Sequence, residues 1–197
     1  MQAGVVAVQG DVSEHAAAIR RAAAIHDEPA EVVEVRDAGI VPDCDVLLLP
    51  GGESTTISRL IHREGIAPEI RDHVAEGKPI LATCAGLIVC SRDAKDDRVD
   101  ALDLVDASVD RNAFGRQKDS FEASLPVEGL DEPFHAVFIR APLIDDVGSD
   151  VEVLASVEGR PVLVRDGPVL ATSFHPELTD DSRIHDLAFF HGTEVQA

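Results

Sequence analysis

The chain has 197 residues, with 17 Lys and Arg against 37 Asp and Glu and a formal net charge of −20. Such a surface repels nucleic acid and anionic lipid, and the three cysteines, Cys44, Cys84 and Cys90, form neither a disulfide framework nor a C-x-x-C zinc pair. The length suits one domain over residues 1–197 with one substantial core, and no apolar run approaches the roughly 20 residues that a membrane helix needs.

The start of the chain lacks a basic n-region, so it does not read as a secretion signal, and the cytoplasm is the expected location. The only lysines are Lys78, Lys95 and Lys118. Acid excess with so few lysines points to a protein that works in concentrated salt. There the Debye length falls to about 3 Å and self-repulsion is screened.

Residues 3–9 are nearly continuous apolar sequence, as expected for a strand buried on both faces. Gly10 breaks it. Asp11 then offers a helix N-cap, with Glu14 three residues later as its capping-box partner, and the Ala-rich residues 16–25 read as the helix. Residues 31–35 are the next strand. Residues 45–50 are a short buried strand that stops at Pro50-Gly51-Gly52, with a helix opening at Ser54 or Thr55. Residues 78–83 form another strand, followed by Cys84-Ala85-Gly86 and a helical segment at 87–90. This alternation predicts a parallel sheet with helices on both faces. The second half reads differently, with strands at 105–109, 121–125, 136–139, 151–157, 162–164 and 169–173, the last two paired as a hairpin. A helix at 182–190 closes the chain. The expected architecture is one α/β domain with an antiparallel annex.

Three elements carry chemistry. Cys84 follows a buried strand and precedes a helix, with small neighbours that a tight strand-to-helix turn demands. A helix N-terminus favours a thiolate, and open α/β sheets place their sites at the carboxyl ends of strands. Phe174-His175-Pro176-Glu177 follows the last strand. Pro176 biases His175 toward an extended conformation, and residues two apart in an extended segment face the same way. Glu177 is thus expected to hold the ring of His175, which then serves as base and acid. Pro50-Gly51-Gly52-Glu53-Ser54-Thr55 is a glycine loop whose backbone N–H groups suit an oxyanion; it lacks the lysine of a nucleotide-binding P-loop. Cys44 and Cys90 read as small buried hydrophobes, and the other histidines, His15, His26, His62, His73, His135, His185 and His191, as ordinary surface or core residues without metal-ligand spacing.

Together these elements resemble a class I, triad-type glutamine amidotransferase. Further segments sharpen the likeness: Gln9-Gly10-Asp11-Val12-Ser13-Glu14-His15, Leu49-Pro50-Gly51-Gly52-Glu53-Ser54-Thr55-Thr56, Thr83-Cys84-Ala85-Gly86-Leu87-Ile88, Arg111-Asn112-Ala113-Phe114-Gly115-Arg116-Gln117, Asp119-Ser120-Phe121-Glu122, Phe138-Ile139-Arg140-Ala141-Pro142 and Thr172-Ser173-Phe174-His175-Pro176-Glu177-Leu178-Thr179. Across essentially the whole chain they resemble the glutaminase subunits of pyridoxal 5′-phosphate synthase. The 111–117 stretch is the most specific, and it argues against glutaminases that feed other synthases, such as those of histidine, tryptophan or purine synthesis.

The resemblance implies a three-layer, flavodoxin-like fold and a Cys-His-Glu triad: Cys84 as nucleophile, His175 as general base and acid, Glu177 as the residue orienting the histidine. It implies an oxyanion hole from Gly52 and Ala85, and glutamine-binding positions at Gly52, Glu53, Ser54, Arg111, Ile139 and Arg140. It implies no metal and no organic cofactor. The implied partner is a (β/α)₈-barrel synthase subunit in a large hetero-oligomer, whose docking orders the oxyanion loop and switches on an otherwise nearly idle glutaminase. Two residues before the nucleophile, where such proteins usually carry Gly, this chain has Ala82. The 93–103 Asp-rich stretch looks like surface variation.

Overall fold

The computed structural model describes residues 1–111 and 120–191. The 112–117 part of the most specific motif lies outside the described residues. In chain order the elements are β1 (Gln2–Val6), α1 (Val12–Ile25), β2 (Glu31–Val35), β3 (Val46–Leu49), α2 (Ser54–Arg63), α3 (Ile66–Ala75), β4 (Ile80–Thr83) and α4 (Ala85–Cys90). There follow β5 (Ser91–Asp93), β6 (Val105–Asp110), β7 (Ser120–Leu125), β8 (Phe134–Ile139), β9 (Leu143–Val147), β10 (Glu152–Val157), β11 (Arg160–Asp166), β12 (Val169–Thr172) and α5 (Arg183–Phe189), with a 3-10 turn at Pro176–Leu178.

A seven-stranded sheet runs in the order β10-β11-β12-β4-β3-β1-β2. Strands β12, β4, β3, β1 and β2 are parallel, while β11 and β10 add antiparallel to the β12 edge. The expected β11–β12 hairpin is present, with Asp166 opposite Val169. Smaller sheets, β5-β6-β9 and β7-β8, form the annex.

Alternation along the strands builds the layers, because successive side chains point to opposite faces. Val6, Leu47, Leu49, Ile80, Ala82 and Ala171 face one core with Ile57 and Ile61 of α2, Ile66 and Ile70 of α3 and Leu87 of α4. Val5, Leu48, Leu81 and Leu170 face the other, with Ile19 of α1, Ile184 and Leu187 of α5, and Phe134 and Phe138 of the β7–β8 hairpin. Both faces of β3, β4 and β12 are buried throughout. Each large side chain so buried contributes about 1.5–3 kcal/mol.

The chain leaves β1 toward β2, then returns to place β3 on the other side of β1. At such a reversal the connections diverge and leave a crevice at the carboxyl ends. The loops after β1, β3, β4 and β12 all open there. They carry Gln9, Gly51, Cys84 and His175.

Several expectations are corrected. Asp11 occupies the N-cap position of α1 but makes no side-chain cap, and no capping box forms with Glu14. Its carboxylate instead lies 3.8 Å from Nδ1 of His175. The helix α3 was not anticipated from the sequence. Pro68 sits in the first turn, where its missing N–H removes no helical hydrogen bond. The short β5 and the acid-bearing β9 were likewise not anticipated. Ala82 lies in regular ladder between Leu49 and Ala171, so the position needs no glycine backbone.

Candidate active site

Cys84 joins β4 to α4 with φ 50° and ψ −105°, a left-handed conformation that side chains other than glycine rarely adopt. The surroundings hold it there. Its N–H donates to the Thr172 carbonyl at 2.8 Å, extending the β4–β12 ladder by one residue, and its carbonyl accepts from Ile88 N–H at 3.3 Å. A Cβ on Gly86 would stand 2.2 Å from the Leu49 carbonyl oxygen, so only glycine lets α4 press against the end of β3. The thiol faces the Ile139 carbonyl oxygen, 3.9 Å from Sγ.

Past β12, the His175 N–H donates to the Val137 carbonyl at 2.9 Å, which anchors the segment to β8. His175 has φ −110° and ψ 85°, clear of the helical region as Pro176 dictates but short of the full extension expected. Glu177 does not continue that extension: it sits in the Pro176–Leu178 turn and reaches back through it. The His175 ring meets Glu177 all the same, with Nδ1 2.7 Å from Oε1. Burial disfavours charge on His175, but hydrogen bonds to Cys84 and Glu177 outweigh it and raise its pKa to about 10. Burial also works against charge on Glu177, yet His15 and His175 together hold the carboxyl below its ordinary value.

Gly51 brings the glycine loop to this pair. A Cβ there would lie 2.7 Å from Cε1 of His175 and 3.3 Å from Cβ of Cys84. The side-chain oxygen of Gln9 fixes the loop by accepting from Glu53 N–H at 3.0 Å. Gly52 has φ 145° and stands against Gln9 and Ile57. Glu53 caps α2, accepting from the N–H groups of Thr55 and Thr56. Burial opposes its charge, but hydrogen bonds from Thr55 and Thr56 prevail and hold its pKa near about 2. Arg111 donates to Glu53 at 3.2 Å and to Asp96 at 3.0 Å.

The predicted residues thus gather at one end of the sheet. Cys84, His175, Glu177 and the Ile139 carbonyl form one group, with Ala85 next to Cys84, Gly51 beside the ring and Gly52 following it against Gln9 and Ile57. Glu53 and Arg111 form an ion pair, and Ser54 is buried at the start of α2. Arg140 is exposed and also left-handed, with φ 45°.

Sequence reasoning missed Asp11, His15, His185 and Asp96. Asp96 overturns the view of 93–103 as mere surface variation, since it anchors Arg111. Local spacing carried no signal that α1 would bring His15 to Glu177. Asp11, His175 and Glu177 offer ligand atoms within 4.8 Å of one another. A metal there would have to break the His175–Glu177 hydrogen bond.

Residues 5–193 match the SNO glutamine amidotransferase family. A protein of Halorubrum lacusprofundi named pyridoxal 5′-phosphate synthase subunit PdxT is 84% identical over all of both chains. Proteins of the same name from Haloarcula marismortui and Methanosarcina mazei are 74% identical, covering 98% of each chain, and 55% identical, covering 94% of this chain and 95% of the relative. A solved structure described as a glutamine amidotransferase superimposes with a TM-score of 0.83 at 46% identity, covering 94% of this chain and 96% of that one. PurLQS from Thermotoga maritima shares the fold, with a TM-score of 0.60 at 21% identity over 93% of this chain and 91% of that one. The chain belongs to the SNO glutamine amidotransferase family.

Proposed function

We propose that this chain, as a single domain over residues 1–197, hydrolyses L-glutamine to L-glutamate and ammonia. It delivers the ammonia to a pyridoxal 5′-phosphate synthase partner for vitamin B6 biosynthesis. The supporting observation is the strained Cys84 elbow beside a His175–Glu177 pair hydrogen-bonded at 2.7 Å. The name shared by relatives up to 84% identical supports the pathway.

The Cys84 thiolate adds to the carboxamide carbon, and the Gly52 and Ala85 N–H groups take up charge on the carbonyl oxygen. His175, held by Glu177, gives its proton to the leaving nitrogen, and ammonia departs. The same ring then removes a proton from water, which attacks the thioester, releases glutamate and restores the thiol. The α-carboxylate and α-ammonium of glutamine suit Arg111, Arg140, Glu53 and the Ile139 carbonyl, with Ser54 supporting the loop. These steps call for no metal and no organic cofactor. The partner is a (β/α)₈-barrel subunit in a hetero-oligomer, and the site of action is the cytoplasm. No helix among the described residues is long and apolar enough to cross a membrane.

The test is glutamate release from glutamine with and without the synthase subunit, at low and molar salt, with Cys84→Ala as control. Release that rises with the partner and vanishes in Cys84→Ala supports the proposal. Release indifferent to the partner removes the pathway, and no release from a folded complex removes the reaction.

A further inference from the structure

A buried polar chain continues behind Glu177. His15 of α1 and His185 of α5 are both fully buried. Nδ1 of His15 lies 3.3 Å from Nε2 of His185. Nε2 of His15 lies 3.1 Å from Thr83 Oγ1 and 3.5 Å from Oε2 of Glu177. Two atoms at the ends of this chain, Glu177 Oε2 and His185 Nδ1, are buried without a hydrogen bond among the described residues. Buried polar groups are ordinarily paired, so their pattern is informative.

The pattern selects one arrangement of protons. Between His15 Nδ1 and His185 Nε2 one nitrogen must donate and the other accept. If His15 were the donor, its bare Nε2 would face a carboxylate oxygen, lone pair to lone pair. His185 would then bury an N–H without an acceptor. If His185 donates from Nε2, His15 carries its proton on Nε2 and presents it to Thr83 and Glu177. What remains is a shortage at acceptors alone, an unprotonated nitrogen on His185 and a Glu177 oxygen 3.5 Å from the His15 donor. That is the milder fault, because orphaned N–H groups are rarer than under-used acceptors.

We propose that His15, with its tautomer set by His185, is a positioning residue that holds the free oxygen of Glu177 and so keeps the opposite oxygen on His175. This rests on the glutaminase reading above for its reaction, though not for its geometry. Hydrogen bonds of a catalytic group are often long without substrate and tighten in the Michaelis complex, so the 3.5 Å separation should close when glutamine binds. A neutral donor suits the place. A lysine or arginine would neutralise Glu177 and weaken its hold on the imidazolium, whereas a neutral N–H steers the carboxylate and leaves its charge directed at His175. Burial, opposed by Glu177, lowers the pKa of His15, and burial with His15 and Arg21 lowers that of His185, so both stay uncharged. The other ionisable groups facing His15 are His175, Asp11 and Glu14.

Three measurements on the full chain test this. The first is the pH profile of kcat/KM for glutamine in the complex with the synthase. His15→Leu should lower kcat about 10–100-fold with KM changed less than about threefold, as for other residues that orient a reacting group. Both limbs should move inward: the acid limb up, because Glu177 protonates more easily, and the alkaline limb down, because the His175 cation is less supported. His15→Gln, whose carboxamide NH₂ replaces the Nε2 donor, should restore most of kcat and the width of the profile. An unchanged profile in folded His15→Leu, or equal losses in both variants, assigns His15 to packing alone and overturns the proposal.

The second is the rate of Cys84 alkylation by iodoacetamide against pH, which reads the same coupling without turnover. It should narrow in His15→Leu even if glutamine proves not to be the substrate. The third needs no variant. Nitrogen-15 spectra of histidine-labelled wild-type chain should show His15 and His185 neutral with the proton on Nε2. A proton on Nδ1 of either overturns the assignment.

Discussion

Nδ1 of His175 and Oε1 of Glu177 meet at 2.7 Å across a single turn of chain. Because the pair is local, its geometry depends on the Pro176–Leu178 turn and on the His175 N–H bond to Val137. Glu177→Gln keeps the shape of the carboxylate and removes its charge. It should lower kcat on the order of 10²–10⁴-fold, the range typical for disabling a general acid–base group, with the circular dichroism spectrum unchanged. Steady-state kinetics in the synthase complex reads it, and a loss under threefold contradicts the role.

Cys84 and Glu177, acting on His175 in that order, make stability depend on pH. His175 has a raised pKa, from 6.5 to about 10, so its cation favours the folded state. That contribution is complete below 6.5 and is lost as pH rises toward the folded value. Glu177 has a lowered pKa, so its contribution is complete above 4.5 and is lost as pH falls through the folded value. The gap in urea midpoint between wild type and His175→Asn should therefore be widest near about pH 6 and shrink by about pH 10. A constant gap across that range refutes the assignment.

Two glycines in the site should fail in different ways. Gly86→Ala sets a Cβ 2.2 Å from the Leu49 carbonyl oxygen, a backbone atom with nowhere to go. It should destabilise the fold by about 1–3 kcal/mol, as overpacking does. Gly51→Ala sets a Cβ 2.7 Å from the His175 ring, which can tilt. It should leave the melting temperature nearly unchanged and lower kcat about 100-fold, the cost of a small misplacement of a reacting group. Thermal melts and kinetics on both variants separate the outcomes.

Asp96 holds one terminal nitrogen of Arg111 at 3.0 Å, and Glu53 accepts from the other. Asp96→Asn should raise KM for glutamine by about three- to tenfold with kcat little changed, the signature of lost ground-state binding. A fall in kcat at constant KM would place Asp96 in the chemistry instead.

The charge of −20 should make the fold salt-dependent. Self-repulsion over about 10 Å at 0.1 M shrinks to about 3 Å at 1 M. The melting temperature should climb steeply between those concentrations. A flat curve refutes adaptation to salt, which the haloarchaeal relatives otherwise support.

Most of the parallel strands were legible as short apolar runs next to Gly or Pro, although β2 carries Glu31 and Glu34, and the Cys84 elbow and glycine loop followed from where those runs stop. His175 and Glu177 were legible as a local pair two residues apart, although a turn rather than an extended segment closes their contact. The contacts of His15 with Glu177 and of Asp96 with Arg111 were not. Each joins segments far apart in the chain, and the surrounding residues carry no local pattern that announces the partner. Asp11 shows the opposite failure: a good local capping signal yielded to a nearby histidine.

Cys84 holds its left-handed backbone, φ 50°, only because the β4–β12 ladder and the packing of Gly86 impose it. Such a conformation costs a side-chain-bearing residue about 1–3 kcal/mol and glycine almost nothing. The most stable residue for position 84 is therefore one that does no chemistry. A copy of this chain released from its catalytic duty would gain stability on losing its nucleophile, and thermal selection alone, applied without an activity screen, would drive the enzyme toward an inert scaffold.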